Sequence, residues 1–342
     1  MTTRAPNILE AIKNAGLVGR GGAGFLAHLK WTRMKEVKSD VKYVVCNASE
    51  GEPDVKKDFY ILDNHMDKVI KGMVVALDFL GQKEAYINMN GHYYQKLETK
   101  LTAEIEKYKS EGYVFHVYVE EPSYIGGESS ALLNAIEGKR VQPRPKHPSP
   151  SIVGIFGKPA LVHNVETFYN VALVSENTFS HKRFYTVGGA AQNPGVYELS
   201  DDLTIEKVLK ETNNYPSFPF FVQVGGGASG KMMNEKQLDK GTVSGCASIH
   251  IYPITTTTRA LLLQWFKFYM DESCGKCTPC REGTYQLYEM VKKSETIPWK
   301  KILEIVDTMK KTAFCALGSS LSIPIETYIE NILQVDKSSL IN

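Results

Sequence analysis

The chain has 342 residues, of which 43% are hydrophobic and 23% are charged, as is typical of folded globular proteins. Lysine and arginine total 40 and aspartate and glutamate total 38, and the resulting formal charge of +2 argues against a nucleic-acid-binding surface along the chain. The absence of a membrane-span-length apolar run or a signal-peptide core predicts a cytoplasmic protein without direct membrane insertion, and the length suggests two or three domains.

The first part of the chain alternates between strand-like and helix-like patterns. Short β-branched runs predict strands, and apolar residues at helical spacing predict helices. The strands are predicted at 43–47, 84–90 and 113–121, and the helices at 8–17, 26–37, 66–80, 93–109 and 129–139. This alternation favours a doubly wound α/β domain with a parallel sheet.

The pattern changes twice further along. Five prolines between 140 and 160 predict an extended surface segment, and 163–174 is predicted to be a helix. Strands, an Asn-Pro-Gly turn and a short helix follow from 184, and the chain is helical in pattern from 256. We therefore predict an α/β domain at 1–183, a small α+β domain at 184–255 and a helical bundle at 256–342.

Four of the six cysteines have a spacing typical of metal ligands: Cys274, Cys277, Cys280 and Cys315. Three cysteines at two-residue intervals with a distant fourth favour a [4Fe–4S] cluster. A structural zinc site is the alternative, although zinc sites usually pair two knuckles and only one cysteine lies near position 315. The other two, Cys46 and Cys246, are isolated and are predicted to be buried and inert.

A glycine-rich loop, GRGGAGF, occupies residues 19–25. Its glycines allow backbone N–H groups to approach a phosphate or a flat ring closely. The loop matches neither the dinucleotide fingerprint, because a helix precedes it, nor the P-loop, because position 26 is leucine. A turn that simply packs against the sheet is the alternative interpretation.

Two further loops carry polar groups. The loop at 46–58 follows a strand and places Asn47, Glu50, Glu52 and Asp54 where open α/β sheets bind ligands, although it could be an ordinary acidic loop. The loop at 123–133 offers Tyr124, two glycines and Glu128. Because a helix is predicted to begin there, we expect its N-terminus to favour a phosphate.

Five blocks in one order carry a family resemblance: GRGGAGF, CNASEGEP, GGESSALLNAIEGKR, GKPALVHNVETF and ESCGKCTPCREG. The sequence resembles the flavin-bearing, NADH-oxidising subunit of respiratory complex I and its relatives in NAD-linked hydrogenases and formate dehydrogenases. The resemblance covers nearly the whole chain. The block VGGAAQNPGVYEL is also similar to the ubiquitin-like (soluble-ligand-binding β-grasp) domain of that family.

The resemblance implies a Rossmann-like FMN domain, a β-grasp domain and a helical bundle with a [4Fe–4S] cluster. It implies that NADH transfers a hydride to FMN and that single electrons pass through the cluster to a partner; a reversible or bifurcating enzyme would use the same parts. Cys274, Cys277, Cys280 and Cys315 match the cluster ligands, and Phe25, Lys30, Glu52 and Lys146 match the nucleotide side. The matching flavin-site residues are Gly19, Arg20, Gly21, Gly22, Lys30, Asn47, Glu50, Tyr124, Gly127, Glu128, Asn164 and Thr167.

The chain departs from the family pattern mainly where the nucleotide would lie. Ser129 replaces a glutamate that lies by the adenosine ribose in the family, and Ser149 stands where an aromatic residue stacks on adenine. Ser49 replaces an acidic residue, and Leu26 and His28 replace proline and glycine. FMN and the cluster are therefore better supported by the resemblance than NADH is.

These departures motivate two alternatives. One is a non-catalytic electron relay or scaffold that retains flavin and cluster but does not oxidise nucleotide. The other is an NADPH-specific enzyme, because the loss of a carboxylate at Ser129 admits a 2′-phosphate and basic residues follow in the chain. The candidates for binding that phosphate are Lys139, Arg140, Arg144 and Lys146, which could equally form a solvated surface.

The resemblance also implies partners. With four cysteines in one motif and two isolated, the chain is expected to carry one cluster at most. Such a cluster needs an electron acceptor, so we expect a hetero-oligomer. The usual family partner is a thioredoxin-like [2Fe–2S] subunit, with further redox subunits beyond it and any membrane association arising through them.

Overall fold

A computed structural model describes residues 7–340. The chain divides into two compact units. The first comprises Met1–Gly51 and Lys56–Lys182, and the second comprises Glu52–Val55 and Arg183–Asn342.

The first unit is built on a parallel sheet of four strands: β1 (Tyr43–Ala48), β2 (Glu84–Asn90), β3 (Val114–Glu120) and β4 (Ala160–Asn164). The strand order is β3-β2-β1-β4, and all three pairings are parallel. The central strand β1 reads YVVCNA and is almost wholly buried, as expected for a strand covered on both faces. The predicted α/β character with a parallel sheet is confirmed.

Six helices accompany this sheet: α1 (Ile8–Asn14), α2 (Ala27–Glu36), α3 (Lys57–Leu80), α4 (Gly91–Glu106), α5 (Ser129–Ile136) and α6 (Val165–Ser175). Helices α3 and α6 pack closely, because Gly72 of α3 lies against the backbone of Phe168 in α6. A Cβ at Gly72 would collide with the Phe168 carbonyl oxygen, so only glycine fits there.

Two predicted elements need correction. The helix predicted at 163–174 begins only at Val165, because 160–164 forms strand β4, which pairs with β1 and was not predicted. Helix α3 begins at Lys57 rather than 66. Its backbone departs from helical dihedral angles at His65, and this interruption breaks the apolar periodicity that marks the rest of the helix.

The second unit contains a mixed five-stranded sheet: β5 (Lys182–Gly189), β6 (Gly195–Ser200), β7 (Phe220–Val224), β8 (Lys231–Asn234) and β9 (Ser248–Pro253), in the order β6-β5-β9-β7-β8. Strand β9 is parallel to β5 and antiparallel to β7. Helix α7 (Ile205–Glu211) buries Ile205, Val208 and Leu209 in the same core as Val222 and Ile249.

The C-terminal part of this unit is helical, as predicted. It contains α8 (Thr258–Asp271), α9 (Thr278–Lys293), α10 (Trp299–Thr312), α11 (Ala316–Ser320) and α12 (Ser322–Tyr328). Helices α9 and α10 approach closely where Gly283 lies against Met309. Among residues 7–340, we find no helix with both the length and the apolar character needed to cross a membrane.

Candidate functional site

Three asparagines lie side by side at the carboxyl edge of the parallel sheet. Asn47 of β1 is in register with Asn88 of β2 and with Asn164 of β4. The Asn47 side chain donates from Nδ2 to the carbonyl oxygen of Gly127 at 2.9 Å. The predicted residues Asn47, Gly127 and Asn164 are therefore brought together at the edge where open α/β sheets bind ligands.

The glycine-rich loop 19–25 lies at the same edge. The Gly19 N–H donates to the carbonyl oxygen of Phe25 at 2.8 Å and closes the loop. The Arg20 N–H donates to Oγ1 of Thr167 at 2.9 Å. A Cβ at Gly21 would lie 3.2 Å from Cβ of Asn164, and Gly22 has a φ of +114°, which glycine tolerates best.

Lys30 lies on α2, just beyond this loop. Its Nζ donates to the carbonyl oxygen of Val162 at 3.2 Å, and burial lowers its pKa from the ordinary lysine value. Burial and the nearby Lys30 charge lower the pKa of His163 well below its usual value. The His163 ring accepts from Nε1 of Trp31 at 3.0 Å, so Nε2 acts as the acceptor of a neutral imidazole. Phe25, at the end of the loop, is 44% exposed.

The loop before α5 approaches the sheet edge through its backbone. A Cβ at Gly51 would lie 2.6 Å from Cα of Tyr124, so the two segments touch. Glu128 caps α5, with its carboxylate accepting from the N–H groups of Ser130 at 3.1 Å and Ala131 at 2.9 Å. The phosphate expected at this helix N-terminus is therefore a wrong prediction, because the carboxylate of the chain occupies those donors.

Glu50 is held by the start of α3. Its Oε1 accepts from the Asp58 N–H at 2.8 Å, and its Oε2 accepts from the Phe59 N–H at 3.2 Å and the Tyr93 hydroxyl at 2.8 Å. Burial, reinforced by the charge of Asp58, raises the pKa of Glu50 to about 7 despite the opposing effects of Lys57 and these hydrogen bonds.

A buried ion network beside Glu50 was not predicted from the sequence. Lys57 is 2% exposed, and its Nζ lies 2.6 Å from Oδ1 of Asp58 and 3.3 Å from Oε2 of Glu166. It also donates to Oδ1 of Asn164 at 3.0 Å. Charged residues in the first turn of a helix are ordinarily solvated, and nothing in the local sequence marks these as buried.

A second unpredicted network crosses the edges of β3, β2 and β1. Asn88 donates from Nδ2 to Oγ of Ser49 at 2.7 Å and to Oε2 of Glu120 at 2.8 Å. The Ser49 hydroxyl donates in turn to the carbonyl oxygen of Gly126 at 3.3 Å. Burial raises the pKa of Glu120. The polar residues that end β2 and β3 were the available signal for this network.

Glu52 belongs to the second unit. Its Oε1 accepts from the Ser229 hydroxyl at 2.8 Å, and its Oε2 accepts from the Ala228 N–H at 3.0 Å. Gly226 leaves room for this carboxylate, because a Cβ there would lie 2.6 Å from Oε1 of Glu52. The glycines of the loop 225–230 thus serve Glu52 directly.

The basic residues after α5 differ in their engagement. Arg144 donates from Nε to Oδ1 of Asn134 at 2.8 Å and pairs with Glu137 at 2.9 Å. Lys139 also pairs with Glu137, at 2.5 Å. Lys146 is exposed in the proline-rich segment. Two of the four candidate phosphate-binding cations are therefore already paired with one carboxylate.

The four motif cysteines gather around the starts of two helices. Cys277 precedes α9, Cys280 lies in its first turn, and Cys315 precedes α11. Burial raises the pKa of Cys280 to about 11, and the neighbouring Cys274, Cys277 and Cys315 contribute to this rise, which shows that the four thiols lie close together. The Phe314 N–H donates to Sγ of Cys277 at 3.5 Å.

Comparison with known proteins decides the family. The Nuo51 FMN-binding domain model matches residues 12–173, and that of the NADH-ubiquinone oxidoreductase-F iron–sulfur binding region matches residues 260–333. The chain is 30% identical to an NADH-quinone oxidoreductase subunit of Streptomyces coelicolor, over 94% of this chain and 80% of that protein. The chain belongs to this family.

The family includes hydrogenase subunits. The chain is 30% identical to the NAD-reducing hydrogenase HoxS subunit alpha of Cupriavidus necator, over 98% of this chain and 60% of that protein. A solved structure of an NAD⁺-reducing [NiFe]-hydrogenase in the H₂-reduced state superposes with a TM-score of 0.88 at 28% identity, covering 98% of this chain and 62% of that one. The chain thus spans about three fifths of the length of these hydrogenase chains.

The residues present fit the cofactors of the family. The glycine loop leaves a side-chain-free approach to Asn47 and Asn164, as a flat cofactor requires. Among residues 7–340, no three His, Cys, Asp or Glu side chains converge on one position for a single metal ion. A [4Fe–4S] cluster does not need such convergence, because each of its four thiolates binds a different iron.

Cysteines outside the motif are structural in character. Cys46 is fully buried in β1, and burial, with the nearby Asp58 charge, raises the pKa of its thiol. Cys246 is also buried, and its Sγ lies 3.3 Å from the carbonyl oxygen of Gly225. The prediction that both are buried is confirmed.

Proposed function

We propose that the chain is the NAD(H)-oxidising subunit of a hetero-oligomeric redox complex, with FMN at the carboxyl edge of the parallel sheet. The observation that supports this most strongly is the convergence of the glycine loop, Asn47, Asn164 and the loop 124–127 on that edge. The proposed FMN-contacting residues are Gly19, Arg20, Gly21, Gly22, Lys30, Asn47, Glu50, Tyr124, Gly127, Glu128, Asn164 and Thr167.

Each group has a physical role in this proposal. FMN supplies the chemistry when bound, by taking a hydride and giving up electrons one at a time. Backbone N–H groups of the glycine loop and the cations of Arg20 and Lys30 offset negative charge. The depressed pKa of Lys30 makes its ammonium responsive to an anion, because pairing restores the charged form that burial disfavours.

The nucleotide is proposed to contact Phe25, Lys30, Glu52 and Lys146. Phe25 offers an exposed aromatic face, which suits stacking against a planar ring. Lys146 is an exposed cation suited to a diphosphate. The Glu52 carboxylate is held by Ser229 and Ala228, which leaves the lone pairs not used by these donors for a ribose hydroxyl.

Cys274, Cys277, Cys280 and Cys315 are proposed to bind the [4Fe–4S] cluster, which supplies one-electron transfer when bound. Iron must displace the thiol protons, and burial makes this more demanding by raising the pKa of Cys280 and Cys315. Cys277 and Cys315 directly precede helices, whose N-terminal N–H groups favour thiolate over thiol.

We also propose the finer architecture. Residues 1–183 form a Rossmann-like domain, 184–255 a ubiquitin-like β-grasp domain, and 256–342 the cluster-bearing bundle. The central β9, parallel to β5 and followed outward by β7, with α7 packed on the sheet, supports the β-grasp assignment. A thioredoxin-like [2Fe–2S] subunit is the proposed electron acceptor, and the complex is proposed to be cytoplasmic.

An anaerobic visible-spectrum titration of the FMN-loaded, cluster-containing protein tests the function. We expect NADH to bleach the flavin band. Lys146→Met is expected to raise the NADH concentration needed about tenfold at unchanged flavin content, since a nucleotide charge contact contributes on the order of 1–2 kcal/mol. The matched control is Lys158→Met, which removes another exposed lysine of the same segment. Equal NADH dependence in all three proteins would contradict the nucleotide assignment.

The electron relay is the second candidate function, and the same titration decides it. Ser149 donates to or accepts from Ser151 at 2.9 Å instead of offering an aromatic surface to adenine. A flavin that dithionite bleaches and neither nucleotide affects would support the relay. Bleaching by NADPH at lower concentration than NADH would support the NADPH-specific enzyme that Ser129 suggests.

A further inference from the structure

A cluster of charged groups is enclosed where α3 begins. We call Glu50, Lys57, Asp58 and Glu166 the buried acidic cluster. Lys57 Nζ lies 2.6 Å from Oδ1 of Asp58 and 3.3 Å from Oε2 of Glu166, and Oε1 of Glu50 accepts from the Asp58 N–H at 2.8 Å. Lys57, Asp58 and Glu166 are almost completely excluded from solvent.

The charges of this cluster do not balance. Three carboxyl groups face one ammonium, so full ionisation would leave two negative charges uncompensated inside the protein. An uncompensated buried charge is costly, and a buried group ordinarily avoids the cost by changing its protonation state. The cluster therefore favours retaining a proton on a carboxyl group at neutral pH.

The surrounding groups indicate where that proton resides. The carboxylates of Asp58, Glu166 and Glu50 together raise the pKa of Lys57 against the effect of burial, so the ammonium keeps its proton. Burial raises the pKa of Asp58, and Asn164 and Lys57 oppose this by donating hydrogen bonds. Glu50 lacks a direct ammonium contact at hydrogen-bond distance in the described part of the chain, and its pKa lies near neutrality.

Other titratable groups facing the cluster stay neutral. The Tyr93 hydroxyl on α4 donates to Glu50, and burial raises its pKa. The Cys46 thiol on β1 has a pKa raised by burial and by Asp58. The exchange near neutral pH is thus confined to the carboxyl groups.

We propose that the buried acidic cluster holds one exchangeable proton, shared between Glu50 and Asp58, and takes it up from solvent when negative charge is added at the carboxyl edge of the sheet. The step is protonation of a carboxylate to a carboxylic acid, and no electron moves within the cluster. Asp58 and Lys57 both contact Asn164, which lies on that edge, so the cluster senses charge placed there.

The redox-linked half of this proposal rests on the proposed function, because a bound flavin is what would change the charge. Two-electron reduction of a flavin with uptake of one proton adds one negative charge. Like charge nearby raises the proton affinity of a carboxylate, so reduction is expected to draw one further proton into the cluster. Its four members thereby act as proton-holding, positioning residues rather than as catalytic ones.

Infrared spectroscopy of the FMN-free protein tests the first half independently of any cofactor. Exposed carboxyl groups are ionised at pH 7, so a carboxylic-acid C=O band there reports buried protonated groups. We expect the band in the unmodified protein, its loss on raising the pH above neutrality, and its reduction by at least half in Glu50→Gln. Asp58→Asn, which keeps the same shape, serves as the second variant.

Glu120→Gln is the matched control, because Glu120 is a separate buried carboxyl with a raised pKa. A band that disappears in Glu120→Gln and is unchanged in both Glu50→Gln and Asp58→Asn would overturn the proposal, as would the absence of any band at pH 7. The unmodified protein alone decides the latter outcome, so misfolding of a variant does not leave the proposal untested.

Dithionite reduction of the FMN-loaded protein tests the second half without requiring nucleotide oxidation. The reduced-minus-oxidised infrared spectrum is expected to gain carboxylic-acid absorption that Glu50→Gln or Asp58→Asn removes. An unchanged carboxyl region in a fully reduced flavoprotein would overturn the redox linkage. If FMN does not bind at all, the proposed function fails, and the FMN-free titration still decides whether the cluster holds a proton.

Discussion

Asn164 at the end of β4 donates from Nδ2 to Oδ2 of Asp58 at the start of α3, over 2.6 Å. Its Oδ1 accepts from Lys57 and from the Glu166 N–H, so the amide is fully engaged by the buried ion network and the cap of α6. Asn164 therefore orients the sheet edge through these contacts, and its side chain has a structural task besides any cofactor contact.

Asn164→Ala should leave Lys57 and Asp58 each short of a buried partner. We expect a loss of roughly 1–3 kcal/mol in the free energy of unfolding, the usual cost of a buried unsatisfied polar group. Urea denaturation measures it. Asn64→Ala, which removes an exposed side-chain bond to the Tyr60 carbonyl, is the matched control and should change stability by less than about 0.5 kcal/mol. Equal effects would contradict the network's role.

Gly72→Ala tests the close packing of α3 against α6. The added Cβ would collide with the Phe168 carbonyl, so we expect a loss of at least the roughly 1–3 kcal/mol typical of overpacked sites. Thermal unfolding followed by circular dichroism provides the measurement. Lys71→Ala, at the neighbouring exposed position of the same helix, should have little effect. A wild-type melting curve for Gly72→Ala would show that the helices are farther apart than described.

The buried His163 should make the protein less stable in mild acid. Its pKa is far below that of an unfolded histidine, about 6.5, so the unfolded state binds a proton that the folded state does not. Stability contributed by neutral His163 is present above about pH 6.5 and is lost as the pH falls.

His163→Gln should flatten this acid dependence, since glutamine also accepts a hydrogen bond from Trp31 and does not titrate. The free energy of unfolding should be compared between the two proteins at pH 7.5 and about pH 5.5. Glu50 acts with the opposite sign, because its raised pKa removes stability as the pH rises toward about 7, and the difference between the proteins cancels that contribution. Parallel pH profiles would refute a neutral, buried His163.

Cys280→Ser should abolish assembly of the iron–sulfur cluster. Cys280 is the most buried of the four motif thiols, and a serine hydroxyl is a poor iron ligand in this setting. Iron and acid-labile sulfide per chain, with the visible spectrum, measure the loss. Cys246→Ser, which alters a buried cysteine outside the motif, should retain full iron content. Loss of iron in both variants would indicate general misfolding.

Local patterns were enough to predict much of this protein. The β-branched run at 43–47 predicted β1, since a strand buried on both faces must be apolar throughout. The spacing of Cys274, Cys277 and Cys280 indicated a metal centre, and the family comparison supports the cluster. The helical C-terminal region followed from apolar periodicity, because its helices bury one face.

Other features were invisible locally. Strand β4 was hidden because ALVHN continues directly into α6, with Asn164 ending one element and capping the next. The start of α3 was hidden because its first turn reads as charged and solvated, while Lys57 and Asp58 are in fact buried. Glu128 looked like part of an anion site, and the structure shows it capping its own helix.

The sequence by itself determined the order of the elements, the cysteine motif and the family, because these depend on residue types at short spacings. Only the tertiary structure decided which polar residues meet. Parallel strands bring residues about 40 and 120 positions apart into register, as Asn47 is with Asn88 and Asn164, and burial then turns their neighbours into an ion network. Burial and partner choice depend on the whole fold, and so does the charge that each group carries.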